Sequence, residues 1–431
     1  MLPNVVQGLF RRRPKAVAVA SRVGVDGHAA ALIRGLRRNY GPAPVWVRVM
    51  KDRALLLLDV ADVRRVLEGS PDPYAADPEA KRRGMAHFQP DALTISRGEL
   101  WAERRRFTEA VLDTDKPMHR LADRFADVCR EETARLLDTV DVAGGRRLEW
   151  DPFYETIRKI TRRIVLGDGA RDDTELTDLL AELMDEANGL PKDESESLAP
   201  FREKLESYVA VAEPGSLVGL FSEAHAGPGT DPAGQVPHWL FALGDSLAIN
   251  AFRGLALIAG HPEQGARVRQ ELELAGEAPS ATAIAGLEYL EACLEEAMRL
   301  WPTTPLLSRE TTRDTELDGA TLPAGSQILI SNIFNHRDAD AHEWADRFSP
   351  EQWIEGDAAE DWSFNHFSHG PQGCPGAWIA LFVGKAVLAE ILGRREVDLL
   401  DPKLDPSRPL PSMLDFFRVR FELRPRRPGR A

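Results

Sequence analysis

Phe367-Ser368-His369-Gly370-Pro371-Gln372-Gly373-Cys374-Pro375-Gly376 is the stretch on which the reading of this chain turns. A cysteine stands in a loop punctuated by glycine and proline. An apolar run follows at once: Ala377, Ile379, Ala380, Phe382, Val383, Ala386, Val387 and Ile391. That recurrence is helical, not the strict alternation of a strand. Cys374 is therefore expected at the mouth of a helix N-terminus, where backbone N–H groups favour a thiolate. Such a thiolate suits a soft or redox-active metal, and haem iron is one metal held this way. The alternative for a lone cysteine is a buried structural role.

The rest of the chain sets bounds. With 431 residues, 43% of them hydrophobic, it can bury a large core. No linker or internal repeat divides it, so a single domain over 1–431 is expected. No apolar run reaches about 18 residues, and no signal-peptide core follows Arg11-Arg12-Arg13, so a cytoplasmic protein without membrane attachment is expected. Cys129, Cys293 and Cys374 have neither zinc-like spacing nor a disulfide framework. A net charge of −14 argues against nonspecific nucleic-acid binding.

Local patterns predict a mainly α protein with a smaller β-rich part. The first ordered segment reads as a hairpin over Val45–Val49 and Leu55–Leu58, followed by a helix over Ala61–Leu67. Helices dominate from Gly98 to Leu274, with a loop over Ala226–Pro237. Trp239–Gly260 is apolar nearly all round, the mark of a buried central helix. His261-Pro262 ends it. Strands are predicted at Thr315–Leu322, Gln327–Ser331, Val397–Leu400 and Phe416–Leu423.

The cysteine loop resembles the haem-binding signature of the cytochrome P450 family, Phe-x-x-Gly-x-x-x-Cys-x-Gly, with Phe367, Gly370, Cys374 and Gly376 at its fixed points. Where that family usually has Arg or His two residues before the cysteine, this chain has Gln372. Other motifs fall in the family's order. Glu296-Ala297-Met298-Arg299 places a carboxylate and a guanidinium on one helical face, 75 residues before Cys374. The resemblance implies a structural lock for Glu296 and Arg299. The family's third partner, an arginine, is replaced by Gln352, and Arg347 is the nearest substitute. Trp101 and Arg105, at i and i+4, resemble a pair that grips one haem propionate, and Arg309 a second propionate arginine. On the central helix, Asp245-Ser246 resembles the family's acid–alcohol pair for oxygen activation. The register is set by Ser246 lying sixteen residues before Pro262. Serine stands for the usual threonine, and Leu243 for the usual glycine.

The resemblance implies a cytochrome P450-like fold, with haem b between the central helix and the cysteine-loop helix and Cys374 as the iron ligand. It implies a monooxygenase that uses dioxygen and two electrons to oxidise a hydrophobic small molecule. Asp245 and Ser246 would deliver protons. The electrons would come from a small ferredoxin and ferredoxin reductase, because the haem domain uses up the length. Arg104, Arg106, Lys385, Arg394 and Arg395 are the expected basic docking patch. Segments 72–94 and 190–214 would shape the substrate site. The serine and leucine departures leave two alternatives: peroxide-driven or rearranging haem-thiolate chemistry, and a haem-binding protein without catalysis.

Overall fold

The computed structural model describes residues 6–49, 52–142, 145–189 and 195–426. One helical run, 233–260, passes through the middle of the molecule. It is apolar on nearly every face, so it is stable only when surrounded. Leu247, Phe252, Leu255 and Leu257 are almost completely buried, and each burial stabilises the fold by about 1.5–3 kcal/mol. Helices Trp150–Leu166, Glu288–Leu300 and Ala377–Arg394 pack directly on the run. Helix Ala122–Val142 closes the layer against the first and last of these.

The central run begins earlier than its sequence pattern suggests. Val236 and Pro237 belong to it, because proline in a first turn forfeits no intrahelical bond. It stops at Gly260, where His261, ahead of Pro262, is extended at φ −123° and ψ 90°. Midway, Ala242–Ser246 forms a single π-turn. Such turns are rare and often mark functional positions.

A five-stranded sheet stands to one side. Its order is Val45–Val49, Asp52–Leu56, Gln327–Ser331, Leu306–Thr311 and Tyr74–Ala75. Only Asp52–Leu56 against Gln327–Ser331 is parallel, with Leu55 opposite Ile328. The central strand Gln327–Ser331 is buried along most of its length, as its continuous apolar run requires. Arg395–Asp401, Arg420–Pro425 and Arg147–Leu148 form a smaller sheet.

The mainly α architecture agrees with the sequence, and several details correct it. The hairpin is not the first ordered element: helices Pro14–Val23 and Val25–Tyr40 precede it. Their inward positions are small residues, Val17, Ala20 and Ala30, which give a weak pattern among the arginines. The hairpin's second strand is Asp52–Leu56, earlier than Leu55–Leu58. Thr315–Leu322 is two strands, Thr315–Leu317 and Ala320–Leu322. Asp318 and Gly319 turn between them with φ of 50° and 73°, the Asp-Gly signature of a tight hairpin. Phe416–Arg418 is a 3₁₀ turn, and the last strand starts at Arg420.

Among the described residues, 233–260 is one helix long and apolar enough to cross a membrane, and it is mostly buried as the core helix. Pro14–Val23 and Val25–Tyr40 pass that test only together, across a 51° bend.

Candidate functional site

The cysteine loop is tied from several directions. Cys374 N–H donates to the Phe367 carbonyl at 2.8 Å, and Gly373 N–H to the Gly370 carbonyl at 2.9 Å. Thr114 Oγ1 donates to the Pro375 carbonyl at 2.8 Å, and Arg105 Nη1 to the Gly373 carbonyl at 2.5 Å. Gly370 adopts φ +74°, and a Cβ there would lie 2.2 Å from the Leu67 carbonyl oxygen. Nothing but glycine fits. At Gly376 a Cβ would meet only Leu112 Cδ1 at 3.7 Å, so the protein atoms alone place no such demand.

Behind the loop lies a polar lock. Glu296 and Arg299 are fully buried and paired in a bidentate manner, with Nη2 and Oε2 2.9 Å apart. Arg299 also donates to the carbonyls of His336, Ala345 and Arg347, each at 2.8 Å. Glu296 accepts from Ser349 N–H at 2.8 Å and from Trp353 Nε1 at 2.9 Å. The third side chain in the lock is therefore Trp353. Arg347 contributes its backbone carbonyl, not its guanidinium. His336 carries the lock to the loop: Nδ1 meets the Arg299 carbonyl at 3.1 Å, and Nε2 accepts from Asn365 N–H at 2.8 Å. Burial drives the His336 pKa well below the ordinary value, consistent with this neutral tautomer.

Between the loop and the central helix is a cavity of about 1710 Å³. Ligand pockets usually enclose about 300–1,000 Å³, so this one has room for a cofactor and a substrate together. Trp101, Arg105, Arg309, Phe367, Gln372, Cys374 and Gly376 line one side, and Asp245 and Ser246 the central-helix side. Glu296 and Arg299 do not line it.

Cys374 is a free thiol with accessible surface, although it lies deep in the protein. That surface is cavity wall. Burial pushes its pKa up, against the Gly376 N–H and the field of Arg105. Desolvation of the haem-free thiol thus opposes the thiolate that the helix terminus favours.

Arg309 is buried and donates to Ser70 Oγ, Ser368 Oγ and the Ser308 carbonyl. Burial lowers its pKa to about 10, and among the described residues no carboxylate counters the effect. Arg105 shares its charge with Glu109 at 2.6 Å. Gln372 Oε1 accepts from Ala76 N–H at 3.0 Å, so its amide acts as a strut to segment 72–94. Residues 190–194 of the other expected substrate segment lie outside the described residues.

On the opposite wall, the π-turn holds Asp245, and Tyr154 Oη donates to its Oδ1 at 2.7 Å. Burial raises the Asp245 pKa to about 6, with the Tyr154 hydrogen bond and Arg158 pulling the other way. Leu243 faces the cavity. Gly244 instead borders a small cleft beside Tyr154 and Arg158.

The expected basic docking patch is not formed as such. Arg104 is buried and donates to Ser96 Oγ at 2.9 Å. Lys385 is also buried, against Glu291 and the Ala285 carbonyl. Arg394 pairs with Glu390, and Arg395 with Asp141. Arg106 alone of the five is exposed without a carboxylate in ion-pair reach among the described residues.

A free sulfur on a cavity wall and a buried, unpaired guanidinium suit a group that brings a metal and carboxylates. The residues present therefore fit haem b: Cys374 would hold the iron, and Arg309, Trp101 and Arg105 would hold the propionates.

Comparison with known proteins agrees. The family model of cytochrome P450 matches residues 235–417. Cytochrome P450 4c3 of Drosophila melanogaster is 28% identical over 178 residues, which is 40% of this chain and 33% of the relative. Cyclooctat-9-en-7-ol 5-monooxygenase of Streptomyces melanosporofaciens is 32% identical over 165 residues, 37% of this chain and 36% of the relative. These matches span about a third of the relatives' length. Among solved structures, a zebra fish cytochrome P450 with abiraterone superposes at TM-score 0.74 and 18% identity, covering 92% of this chain and 99% of its own. Retinoic acid-bound cyanobacterial CYP120A1 gives 0.76 at 17% identity, covering 91% and 93%.

Proposed function

From the premise that this chain belongs to the cytochrome P450 family, we propose that it is a haem-thiolate monooxygenase acting on a hydrophobic small molecule. The observation that carries the proposal is one cavity with the free Cys374 on one wall and Asp245 and Ser246 on the other. Bound haem supplies the activation of dioxygen. The chain supplies the rest. Cys374 presents sulfur to the iron. Arg309, Trp101 and Arg105 hold the propionates. Ser246 offers a hydroxyl to the cavity, and Asp245, near neutrality in its proton affinity, takes up and releases protons beside it. Phe241, Leu247, Leu307 and Phe417 give apolar walls that exclude water and suit an apolar substrate. The Streptomyces relative, a monooxygenase of cyclooctat-9-en-7-ol by name, supports that substrate class.

The whole chain is read as one haem-thiolate domain in the cytoplasm. A ferredoxin and ferredoxin reductase are read as its electron donors, supplying the two electrons that dioxygen activation requires. Exposed Arg106 stands on the helix that also carries Arg105, so it is the remaining basic contact for an acidic carrier.

One observation favours a second reading, peroxide-driven oxidation. The hydrogen bond that Asp245 accepts comes from Tyr154, not from Ser246. Turnover with dioxygen and reductant, lost in Asp245→Asn and Ser246→Ala, supports the first reading. Turnover with peroxide, unchanged in both variants, supports the second.

The primary test is the absorption spectrum of the dithionite-reduced protein with carbon monoxide. A strongly red-shifted Soret band, lost in Cys374→Ala, is expected. Well-folded protein that takes up no haem overturns the proposal.

A further inference from the structure

Lys81 has no part in the roles assigned above. It stands in the short helix Glu79–Met85, and its side chain enters the cavity. Nζ donates to the Ala76 carbonyl at 3.0 Å and to Thr94 Oγ1 at 2.8 Å. An ammonium has three donors, so one remains. Among the described residues no carboxylate lies within ion-pair reach of it. Asp77 acts from farther off, and its carboxylate is already held by Arg82 and Arg97. Arg309 lies near enough to oppose its charge, and His238, bonded to Gln89, feels Lys81 in turn.

The placement has a logic in the residue that Lys81 grips. Gln372 holds the N–H of Ala76, and Lys81 holds its carbonyl. The loop position that lacks a charge is thus bridged through one residue to a charge that lacks a partner. Lys81 and Arg309 line the same cavity, and among the described residues neither has a carboxylate in ion-pair reach. That arrangement is costly unless a ligand brings one.

We propose that Lys81 anchors a carboxylate inside the cavity, carried either by a haem propionate or by an acidic substrate. The first source rests on the haem reading of the site, and the second does not. Burial and Arg309 together bring the amine down to about 7, so a carboxylate that binds there should push it back up.

Three measurements on the full chain test this. Haem transfer from the ferric protein to apomyoglobin is timed for wild type, Lys81→Met and Lys81→Arg. The ferric protein is titrated with lauric acid and with methyl laurate, read by absorption. Lysines of the haem-free protein are ¹³C-dimethylated, the Lys81 resonance is identified by its loss in Lys81→Met, and its titration midpoint is read with and without laurate. A propionate source predicts haem loss at least tenfold faster in Lys81→Met, restored in Lys81→Arg, with laurate and its ester binding alike. A substrate source predicts unchanged haem loss and at least tenfold tighter binding of laurate than of the ester, a preference lost in Lys81→Met. It also predicts an upward midpoint shift of one unit or more with laurate. If haem loss, acid preference and midpoint are all unmoved, the proposal is overturned. If no haem is taken up, the proposed function fails, and the laurate titration of the amine still decides this one.

Discussion

Trp353 donates its indole N–H to Glu296 Oε1 at 2.9 Å, across 57 residues of sequence. It makes the contact that the family pattern gives to an arginine one position earlier, where Gln352 stands and, among the described residues, makes no bond to Glu296. A hydrogen bond to a buried carboxylate contributes about 1.5–3 kcal/mol. Trp353→Phe should lower unfolding stability by about that much in urea, with an unchanged m-value. Gln352→Ala should stay within about 0.5 kcal/mol. Equal losses in the two variants would remove Trp353 from the lock.

The parts of the site that the sequence disclosed are those written within a few residues of each other. Gly370, Cys374 and Gly376 share one loop, and Glu296 and Arg299 share one helical turn. Partners brought together by folding left no local trace. Trp353 and His336 reach the Glu296–Arg299 pair from separate segments. Charge runs were the least legible. Arg104 in Arg104-Arg105-Arg106 points inward, and so does Lys81 in Lys81-Arg82-Arg83, yet each looks in sequence like part of a solvated face. The π-turn was also hidden, since no composition rule separates it from ordinary helix.

Asp245 gives a pH dependence of defined sign. Its folded pKa of about 6 lies above the ordinary 3.8, so the folded carboxyl binds its proton more tightly than the unfolded one. Its contribution to stability is most favourable below about pH 4, declines as pH rises to about 6, and is flat above. Two units correspond to about 3 kcal/mol. The stability of wild type minus that of Asp245→Asn should therefore fall across this window. Tyr154→Phe removes the donor that lowers the pKa, so the upper end of the window should move to higher pH. Urea denaturation from pH 4 to 8 reads both effects. A pH-independent difference would mean that Asp245 is not desolvated.

The two loop glycines should behave differently. Gly370→Ala forces an L side chain into φ +74° and its Cβ against the Leu67 carbonyl. The backbone term alone costs about 1–2 kcal/mol, and the clash adds to it. Loss of more than about 2 kcal/mol, or failure to fold, is expected. Gly376→Ala meets only an ordinary contact at Leu112, so the haem-free protein should keep its stability within about 0.5 kcal/mol. Haem uptake by Gly376→Ala then reports whether that face is pressed against the cofactor. A haem-free Gly376→Ala as unstable as Gly370→Ala would contradict this account.

Arg309 should show opposite signs with and without cofactor. In the haem-free protein it is a buried guanidinium with hydroxyl and carbonyl partners but, among the described residues, no carboxylate, and burial brings its pKa down to about 10. Arg309→Met removes that desolvated charge and gives up hydrogen bonds worth about 1 kcal/mol each. The two effects nearly offset, so the haem-free variant should unfold within about 1 kcal/mol of wild type. With haem bound, the guanidinium gains an anion in a water-poor site, where a charge-assisted bond is strongest. Arg309→Met should then release haem to apomyoglobin at least tenfold faster. Destabilisation of the haem-free variant by several kcal/mol would instead assign Arg309 to the scaffold that joins Ser70 to Ser368, with no special claim on the propionates.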